Sequence, residues 1–323
     1  MLALRPPACL PHRGVRLLMS DLLHSPASRE SSTGPQPWRI DAAALREALS
    51  GPARGWAVET VESTGSTNAD LVHACRMAEW PADGANGVQV RHTYLQTAGR
   101  GRQGRPWKQG QAGLTFSVAL PLPLVPARLA GLSLAVGLAV AEGIDDVAAA
   151  TRPDAGEVAR RTPSPVQLKW PNDLMVGGRK LAGILIETVP AGAGRVWAVV
   201  GIGLNLVRDT EAEAALGREL AGVAEAVPGF DVQRDATRVF AAVLDRLAAM
   251  QAVFVREGLE PMTARWSARD AFRDEPVRLL QDGQLIAEGL ARGVDAEGHL
   301  LLETDAGLQR VTSGEVSLRG AVA

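Results

Sequence analysis

Gly99-Arg100-Gly101-Arg102-Gln103-Gly104-Arg105-Pro106-Trp107 is the stretch that most restricts the fold and function of this chain. Its Gly-x-Gly-x-x-Gly spacing matches the dinucleotide-binding fingerprint, but Pro106 and Trp107 stand where that fingerprint needs an apolar helix. The stretch also lacks the Gly-Lys-Ser/Thr of a P-loop. Its three glycines let the backbone approach a ligand closely, and its three arginines offer forked donors for phosphate or carboxylate. It therefore predicts an anion-binding loop, with a solvated arginine-rich turn as the alternative.

Strand-like and helix-like segments alternate on both sides of this loop. Apolar runs typical of strands cover 56–61, 88–95, 114–120, 166–170, 181–189 and 196–202. Helical patterns cover 41–49, 128–144, 211–227 and 235–257. The alternation predicts one α+β or α/β domain with a central sheet over 37–270. The composition of residues 1–36 predicts a disordered extension, and that of residues 148–165 predicts a surface insertion.

The C-terminal tail has a different pattern. Short strand-like runs at 277–280, 285–290, 300–302 and 309–311 are separated by turn residues at 282–283, 297–298 and 305–307. This spacing predicts a small β-barrel at 274–320, appended to the larger domain.

Composition restricts the class of protein further. Hydrophobic residues make up 46% of the chain, enough for a large core, and the net charge of -2 argues against bulk binding to DNA. Cys9 and Cys75 cannot build a disulfide framework. The longest apolar run, 129–141, is too short to cross a bilayer, and prolines interrupt any N-terminal signal peptide. We therefore expect a cytoplasmic protein with no membrane partner.

Two further segments carry polar residues next to apolar strands. In Lys169-Trp170-Pro171-Asn172-Asp173-Leu174, the proline ends a strand, and Asp173 follows it. Asp173 can hold Mg²⁺ or orient an amine, although turn chemistry favours an Asn-Asp turn that closes a hairpin. The Gly177-Gly178 turn then places Lys180 at the start of an apolar strand. Its ammonium either extends to water or faces an anion.

The remaining two segments are compatible with a site and with ordinary structure. Asn205 ends Gly201-Ile202-Gly203-Leu204-Asn205, where it can bind a base or ribose or form a tight turn. Ser63-Thr64-Gly65-Ser66-Thr67-Asn68-Ala69-Asp70 begins a helix and is rich in capping side chains. If all these segments converge, their cations suit a reaction between two anions, such as a carboxylate that attacks a phosphate.

Taken in order, the five segments resemble the biotin–protein ligase family. The matching stretches are Ser66-Thr67-Asn68, 96–107, Lys169 to Leu174, Arg179 to Ile184 and Gly201 to Asn205, and 276–319 resembles the family's C-terminal SH3-like barrel. The likeness covers about 38–320. It implies an α+β fold in which a mixed-sheet catalytic domain precedes the small barrel. It also implies an ATP-dependent ligase that converts biotin and Mg-ATP into biotinyl-5′-adenylate, then transfers biotin to a lysine of a biotin carboxyl carrier protein.

The resemblance assigns roles by position. Residues implied to bind biotin are Ser66, Thr67, Asn68, Gln96, Arg100, Gly101, Arg102 and Lys180. Residues implied to bind the nucleotide are Arg102, Trp107, Lys180 and Asn205, with Trp170 as a further wall. The implied catalytic residues are Lys180, Arg102 and Asp173, and Asp173 is also the candidate ligand if Mg²⁺ binds the protein directly.

The resemblance has limits. Some relatives carry an N-terminal winged helix, whereas about 36 irregular residues precede the catalytic domain here, so we expect no sequence-specific DNA binding. The partners expected are biotin, ATP and the carrier protein of acetyl-CoA carboxylase, with the enzyme a monomer or a homodimer. Three alternatives remain: a lipoate–protein ligase, a nucleic-acid binding module that uses the arginine loop, and an NAD-dependent oxidoreductase. The scarcity of aromatic stacking residues argues against the nucleic-acid module.

Overall fold

Seven strands form the central sheet, in the order β1-β2-β3-β7-β6-β5-β4. They are β1 (Ala57–Thr64), β2 (Gln89–Gln96), β3 (Gly113–Leu122), β4 (Val166–Lys169), β5 (Asp173–Val176), β6 (Arg179–Pro190) and β7 (Val196–Asn205). β1 and β2 are parallel and the other neighbours are antiparallel, so the sheet is mixed, as predicted. This computed structural model describes residues 38–78, 87–108, 110, 112–151, 164–281, 283–312 and 316–320.

Six helices accompany the sheet in the described residues. They are α1 (Ala42–Ala48), α2 (Thr67–Met77), α3 (Leu132–Ala150), α4 (Thr210–Leu216), α5 (Val232–Glu257) and α6 (Thr263–Ser267). The N-cap expected for the first is confirmed: Asp41 Oδ1 accepts hydrogen bonds from the amides of Ala43 and Ala44 at 2.9 and 3.0 Å.

The main core lies on one face of the sheet, under α3 and α5. Side chains alternate along β3, so Leu114, Phe116 and Val118 point into this core, and Phe116 contacts Phe240 of α5 with ring centroids 4.9 Å apart. The segment Pro126–Ala150, which includes α3, is long and apolar enough to cross a membrane by length and composition. Of its most apolar window, 61% is buried in the protein, as in a core helix.

The opposite face of the sheet is covered only in part, by α2. Leu71 and Cys75 of this helix pack on Ala119, Val199 and other apolar side chains of the sheet. α2 begins at Thr67, so its first turn stands at the border between the covered and the open part of that face. The open part is where the site is found.

Three expectations about secondary structure are wrong. The helix expected over 211–227 ends at Leu216, because Gly217 takes a left-handed conformation and the chain then runs extended to pair with Lys180. α3 continues to Ala150, so the first residues of the expected insertion are helical. β5 was not expected as a strand. Residues 152–163 and the expected N-terminal extension lie outside the described residues.

Five strands at the C-terminus form an antiparallel sheet, in the order β11-β10-β9-β8-β12. They are β8 (Pro276–Gln281), β9 (Gln284–Val294), β10 (Leu300–Thr304), β11 (Gly307–Val311) and β12 (Val316–Gly320). Gly283, Gly298 and Gly307 have positive φ at the three turns, as the turn residues predict. The small C-terminal β unit is thus confirmed. The described residues from Trp38 onwards form one compact unit, and the boundary at 270–274 stays a prediction.

The small sheet is joined to the large one beside β4. The indole Nε1 of the buried Trp170 donates a hydrogen bond to the carbonyl of Gly298 at 3.1 Å. The amide of Ala271 donates to the carbonyl of Leu168 at 2.9 Å. The first contact holds the turn between β9 and β10 against the segment that follows β4, and the second holds the segment before β8 against β4 itself.

Candidate functional site

Backbone register sets the floor of the site. Thr115, Gly203, Gly183 and Asp173 are cross-strand neighbours in one row over β3, β7, β6 and β5, and Ser117, Gly201 and Leu185 form the next row. A Cβ atom on Gly203 would lie 2.2 Å from two ring atoms of Trp107, and one on Gly201 would lie 2.3 Å from Asn68 Oδ1. Only glycine therefore lets these side chains rest directly on the sheet.

A cavity of about 620 Å³ lies above this floor. Its walls come from the arginine loop, the start of α2, the turn between β4 and β5, the start of β6 and residues 216–219. Seven cationic residues line it: Arg100, Arg102, Arg105, Lys169, Arg179, Lys180 and Arg218. Only Asp173 and Glu219 oppose them among the described lining residues, so the cavity is locally positive in a chain whose net charge is -2.

A chain of polar side chains marks one end of the cavity. Gln96 Oε1 accepts from the Thr67 amide at 2.8 Å, and the Thr67 and Ser117 hydroxyls lie 2.7 Å apart. The Ser117 hydroxyl donates to Asn68 Oδ1 at 2.6 Å. Ser66 caps α2 through the amide of Ala69 at 3.4 Å. Helix capping, the alternative explanation for this segment, therefore applies to Ser66. Thr67 and Asn68 instead belong to the chain of polar side chains in the cavity.

The arginine loop folds back on itself. The amide of Gly101 donates to the carbonyl of Arg105 at 2.7 Å, and the amide of Trp107 donates to the carbonyl of Gly99 at 2.9 Å. Arg102, the half-buried arginine of the loop, donates to Asn172 Oδ1 at 3.1 Å. Burial lowers the pKa of Arg102, and the Asp173 carboxylate opposes that shift. Because a guanidinium stays protonated even so, the loop delivers a fixed, partly desolvated positive charge.

Lys180 and Asp173 form an ion pair in the cavity wall, two and three strands away, respectively, from Ser117. Lys180 Nζ lies 2.5 Å from Asp173 Oδ1 and 5.7 Å from the ring centroid of Trp107. The Gly177-Gly178 turn between β5 and β6 places Lys180 here, with φ of 55° and 75°. Asp173 follows a hairpin turn, as turn chemistry favours, and its carboxylate faces the cavity as well.

Two polar atoms of the cavity have no hydrogen-bond partner within the described part of the chain. They are the hydroxyl of Thr115 and the indole Nε1 of Trp107, both buried. Since an unpaired buried donor costs about 1–3 kcal/mol, each is a site where a bound ligand would gain affinity.

All the site residues expected from the sequence line this cavity except Asn205. The Asn205 amide donates instead to the carbonyl of Lys180 at 3.4 Å and to that of Ala221 at 3.2 Å. It thereby fixes the extended segment after α4 against the start of β6. The nucleotide role expected for Asn205 remains a prediction.

Sequence reasoning gave no role to Ser117 or Glu187. Glu187 accepts from Asn68 Nδ2 at 3.0 Å and from Arg100 at 3.4 Å. A signal for Ser117 was present, because Thr115 and Ser117 alternate with buried apolar residues along β3 and so share the face opposite the core. Glu187 had no comparable signal, because its role depends on which strands are neighbours.

The chain has known relatives in both of its regions. Residues 61–205 match the model of the biotin/lipoate A/B protein ligase family, and residues 274–319 match the biotin protein ligase C-terminal domain. The biotin--[acetyl-CoA-carboxylase] ligase of Mycobacterium tuberculosis is 32% identical over 284 residues, which are 86% of this chain and 95% of that protein. The chain belongs to the biotin protein ligase family.

Two further matches define the extent of the likeness. The bifunctional ligase/repressor BirA of Salmonella typhimurium is 35% identical over 227 residues, which cover 70% of this chain but only 65% of that relative's length. A solved structure, the biotin protein ligase from Aquifex aeolicus in complex with biotin and ATP, has a TM-score of 0.62 and 26% identity. That match covers 82% of this chain and 99% of the Aquifex chain.

Proposed function

We propose that this protein activates biotin with ATP and transfers it to a lysine of a carrier protein. In the first step the biotin carboxylate attacks the α-phosphate of ATP, giving biotinyl-5′-adenylate and pyrophosphate. In the second step a lysine amine attacks the mixed anhydride and AMP leaves. The observation that carries the proposal is one cavity with a chain of polar side chains at one end and the Arg102 and Lys180 cations at the other.

The polar end suits the head group of biotin. The ureido ring offers two N–H donors and one carbonyl acceptor, and Thr67, Asn68, Gln96 and Ser117 offer hydroxyl and amide groups within one connected chain. The first turn of α2 adds the positive end of its helix dipole beside the ring carbonyl. We assign Ser66 a supporting role as the cap of that helix.

The cationic end suits the first step. Two anions about 4 Å apart repel each other by roughly 1 kcal/mol in water and by about 4 kcal/mol at a protein surface. Lys180 and Arg102 neutralise this repulsion, and they stabilise the charge that develops on the phosphate as the carboxylate attacks. Arg100 and Gly101 belong to the same loop, which covers the ligand, and Trp107 forms the wall beside Lys180.

Asp173 has two duties in this scheme. In the first step it holds Lys180 in place through the 2.5 Å ion pair. In the second step its carboxylate orients the incoming lysine ammonium and accepts a proton from it, which frees the amine to attack.

Magnesium enters as Mg-ATP, part of the substrate. The carboxylates of the described cavity wall are Asp173 and Glu219, and Asp173 already bonds Lys180. Mg²⁺ keeps several waters and binds substrate phosphates with one or two carboxylates. This donor set fits an ion that the ATP phosphates would chiefly hold, with Asp173 as the candidate protein ligand.

The partner and compartment follow from the same reaction. The Mycobacterium relative is named for acetyl-CoA carboxylase, which supports the biotin carboxyl carrier protein of that enzyme as the protein substrate. We place the reaction in the cytoplasm, in line with the single buried free cysteine of the described residues. Lipoate is the competing substrate, because the family model covers both ligase types.

Pyrophosphate exchange tests the proposal. The protein is mixed with Mg-ATP, labelled pyrophosphate and either biotin or lipoate, and label in ATP is measured. We expect exchange with biotin at least a hundredfold faster than with lipoate. Exchange with lipoate alone would assign the other substrate, and the absence of exchange with both would contradict the ligase activity. Lys180→Ala serves as the inactive control.

A further inference from the structure

Glu187 contacts Asn68, one of the polar side chains at the end of the cavity, and Arg100 of the arginine loop. It follows Gly183 and Leu185 at two-residue intervals along β6, and its side chain is 31% exposed. One carboxylate oxygen accepts from Asn68 Nδ2 at 3.0 Å, and Arg100 Nη2 lies 3.4 Å from both oxygens. Glu187 therefore contacts both the start of α2 and the arginine loop, although it is outside the set of described residues that line the cavity.

An ionised carboxylate can only accept hydrogen bonds, and this fixes the orientation of Asn68. Its amide nitrogen must face Glu187, so its Oδ1 faces Ser117 and must receive a hydrogen there. The Ser117 hydroxyl has one hydrogen and donates it to Oδ1 at 2.6 Å. At its 2.7 Å contact with Thr67, Ser117 can then only accept, because two hydroxyl oxygens this close need a hydrogen between them. The Thr67 hydroxyl therefore donates to Ser117 in preference to Gln96 Oε1, which lies farther away at 3.1 Å.

The direction of the whole chain is thus set from Glu187. Every hydroxyl hydrogen of the chain points towards the carboxylate, and lone pairs of Thr67 and Ser117 remain for a ligand. Such a chain suits a head group that donates through N–H and disfavours one that has no donor. The ureido ring of biotin has two N–H groups, and the dithiolane ring of lipoate has none.

We propose that Glu187 is a positioning residue for ligand selection: through Asn68 it orients the Ser117 and Thr67 hydroxyls so that the cavity accepts hydrogen bonds from the ligand. The inference rests on the proposed function. Arg100 balances the carboxylate charge, so the pair also ties the arginine loop to β6.

Glu187→Gln removes the fixed direction of the hydrogen-bond chain, while the side chain keeps nearly the same size and shape. A glutamine amide can donate as well as accept, so Asn68 can turn over and the hydroxyl hydrogens can reverse. We expect the KM for biotin in pyrophosphate exchange to rise about tenfold or more, while the KM for ATP changes less than twofold. Glu288→Gln, which alters an exposed carboxylate of the C-terminal sheet, is the matched control and should leave both values unchanged.

A double-mutant cycle separates orientation from mere packing. Ser117→Ala breaks the chain, so adding Glu187→Gln to Ser117→Ala should raise the biotin KM less than threefold further. Equal effects in both backgrounds would contradict the inference, as would an unchanged biotin KM in Glu187→Gln alone. Wild-type exchange with biotin, measured in parallel, shows whether a failure concerns Glu187 or the proposed function itself.

Discussion

At the residue scale, Arg102 and Lys180 show how the chain concentrates charge without being basic overall. The two polar partners are adjacent in sequence, at the end of the β4–β5 turn and the start of β5. Asn172 of the turn holds Arg102, and Asp173 of β5 holds Lys180. Two consecutive residues thus support both positive charges. An anionic ligand that enters the cavity meets both charges, which favours binding of the proposed adenylate.

Arg102→Gly should loosen the adenylate. The variant loses a charge-assisted hydrogen bond worth about 1.5–3 kcal/mol, so the adenylate should dissociate about ten- to a hundredfold faster. The measurement is release of labelled adenylate from the purified complex under competition with unlabelled biotin and ATP. Arg128→Gly removes an exposed arginine that does not line the cavity, and this variant should release the adenylate at the wild-type rate. An unchanged rate in Arg102→Gly would contradict the role of Arg102.

At the element scale, the close approach of α3 and α5 depends on a single glycine. A Cβ on Gly143 would lie 2.9 Å from the Cα of Val243, whereas one on Gly137 would meet only side chains at 3.5 Å. Alanine has the higher helix propensity at both positions, so packing decides the outcome.

Gly143→Ala should lower the free energy of unfolding by about 1–3 kcal/mol, because α5 must shift away from α3. Gly137→Ala in the same helix is the control, and we expect it to be neutral or to raise the free energy of unfolding by up to about 1 kcal/mol. Urea denaturation followed by circular dichroism measures both. Equal stabilities of the two variants would show that the helices have room to adjust.

Elements with a long, regular pattern were predictable from the sequence, and short ones were not. The apolar alternation of β3, β6 and β7 and the periodicity of α5 each extend over at least ten residues. β5 has four residues and is defined only by its neighbours, as is typical of a strand inside a hairpin. The helical pattern over 211–227 was misleading because Gly217 ends the helix and Lys180 pairs with the next segment.

The site was predictable in its parts but not in its connections. The glycines and arginines of the loop, with Lys180, predicted an anion site from the sequence, beside simpler alternatives for each segment. The hydrogen bonds from Asn205 to two carbonyls, and from Asn68 to Glu187, join segments more than ten residues apart in sequence. Only the strand order shows that these segments meet.

At the scale of the whole molecule, a buried histidine and a half-buried aspartate give stability opposite dependences on pH. His92 lies among Trp38, Tyr94 and Phe240, and neither ring nitrogen has a partner in the described residues. Burial lowers the pKa of His92 from 6.5 to about 4. Between these values the unfolded chain holds the proton that the folded chain excludes, so stability falls as the pH falls.

Asp270 acts in the other direction. Burial raises the pKa of Asp270 from 3.8 to about 6, and the hydrogen bond from the Phe272 amide opposes this only in part. Between these values the folded chain holds the proton that the unfolded chain has released. The contribution of Asp270 to stability is therefore present at low pH and is lost as the pH rises through 6.

Single variants test the two pH dependences of the free energy of unfolding. We expect His92→Phe to raise the free energy of unfolding at pH 5 by about 2 kcal/mol relative to its effect at pH 8. Asp270→Asn should raise the free energy of unfolding more at pH 7 than at pH 4.5. Urea titrations from pH 4.5 to 8 measure both, and curves parallel to the wild type would refute the assignments.

The glycine floor also limits how this site can change. The depth of the cavity is set by backbone, because its floor consists of Gly183, Gly201 and Gly203, which have no side chains that could change rotamer. A new ligand must therefore be accommodated at the walls and at Trp107 above the floor, because any substitution in the floor fills space already occupied. We therefore expect differences in ligand choice within this family to arise from substitutions in the arginine loop and in the chain of polar side chains. The three floor positions should remain glycine.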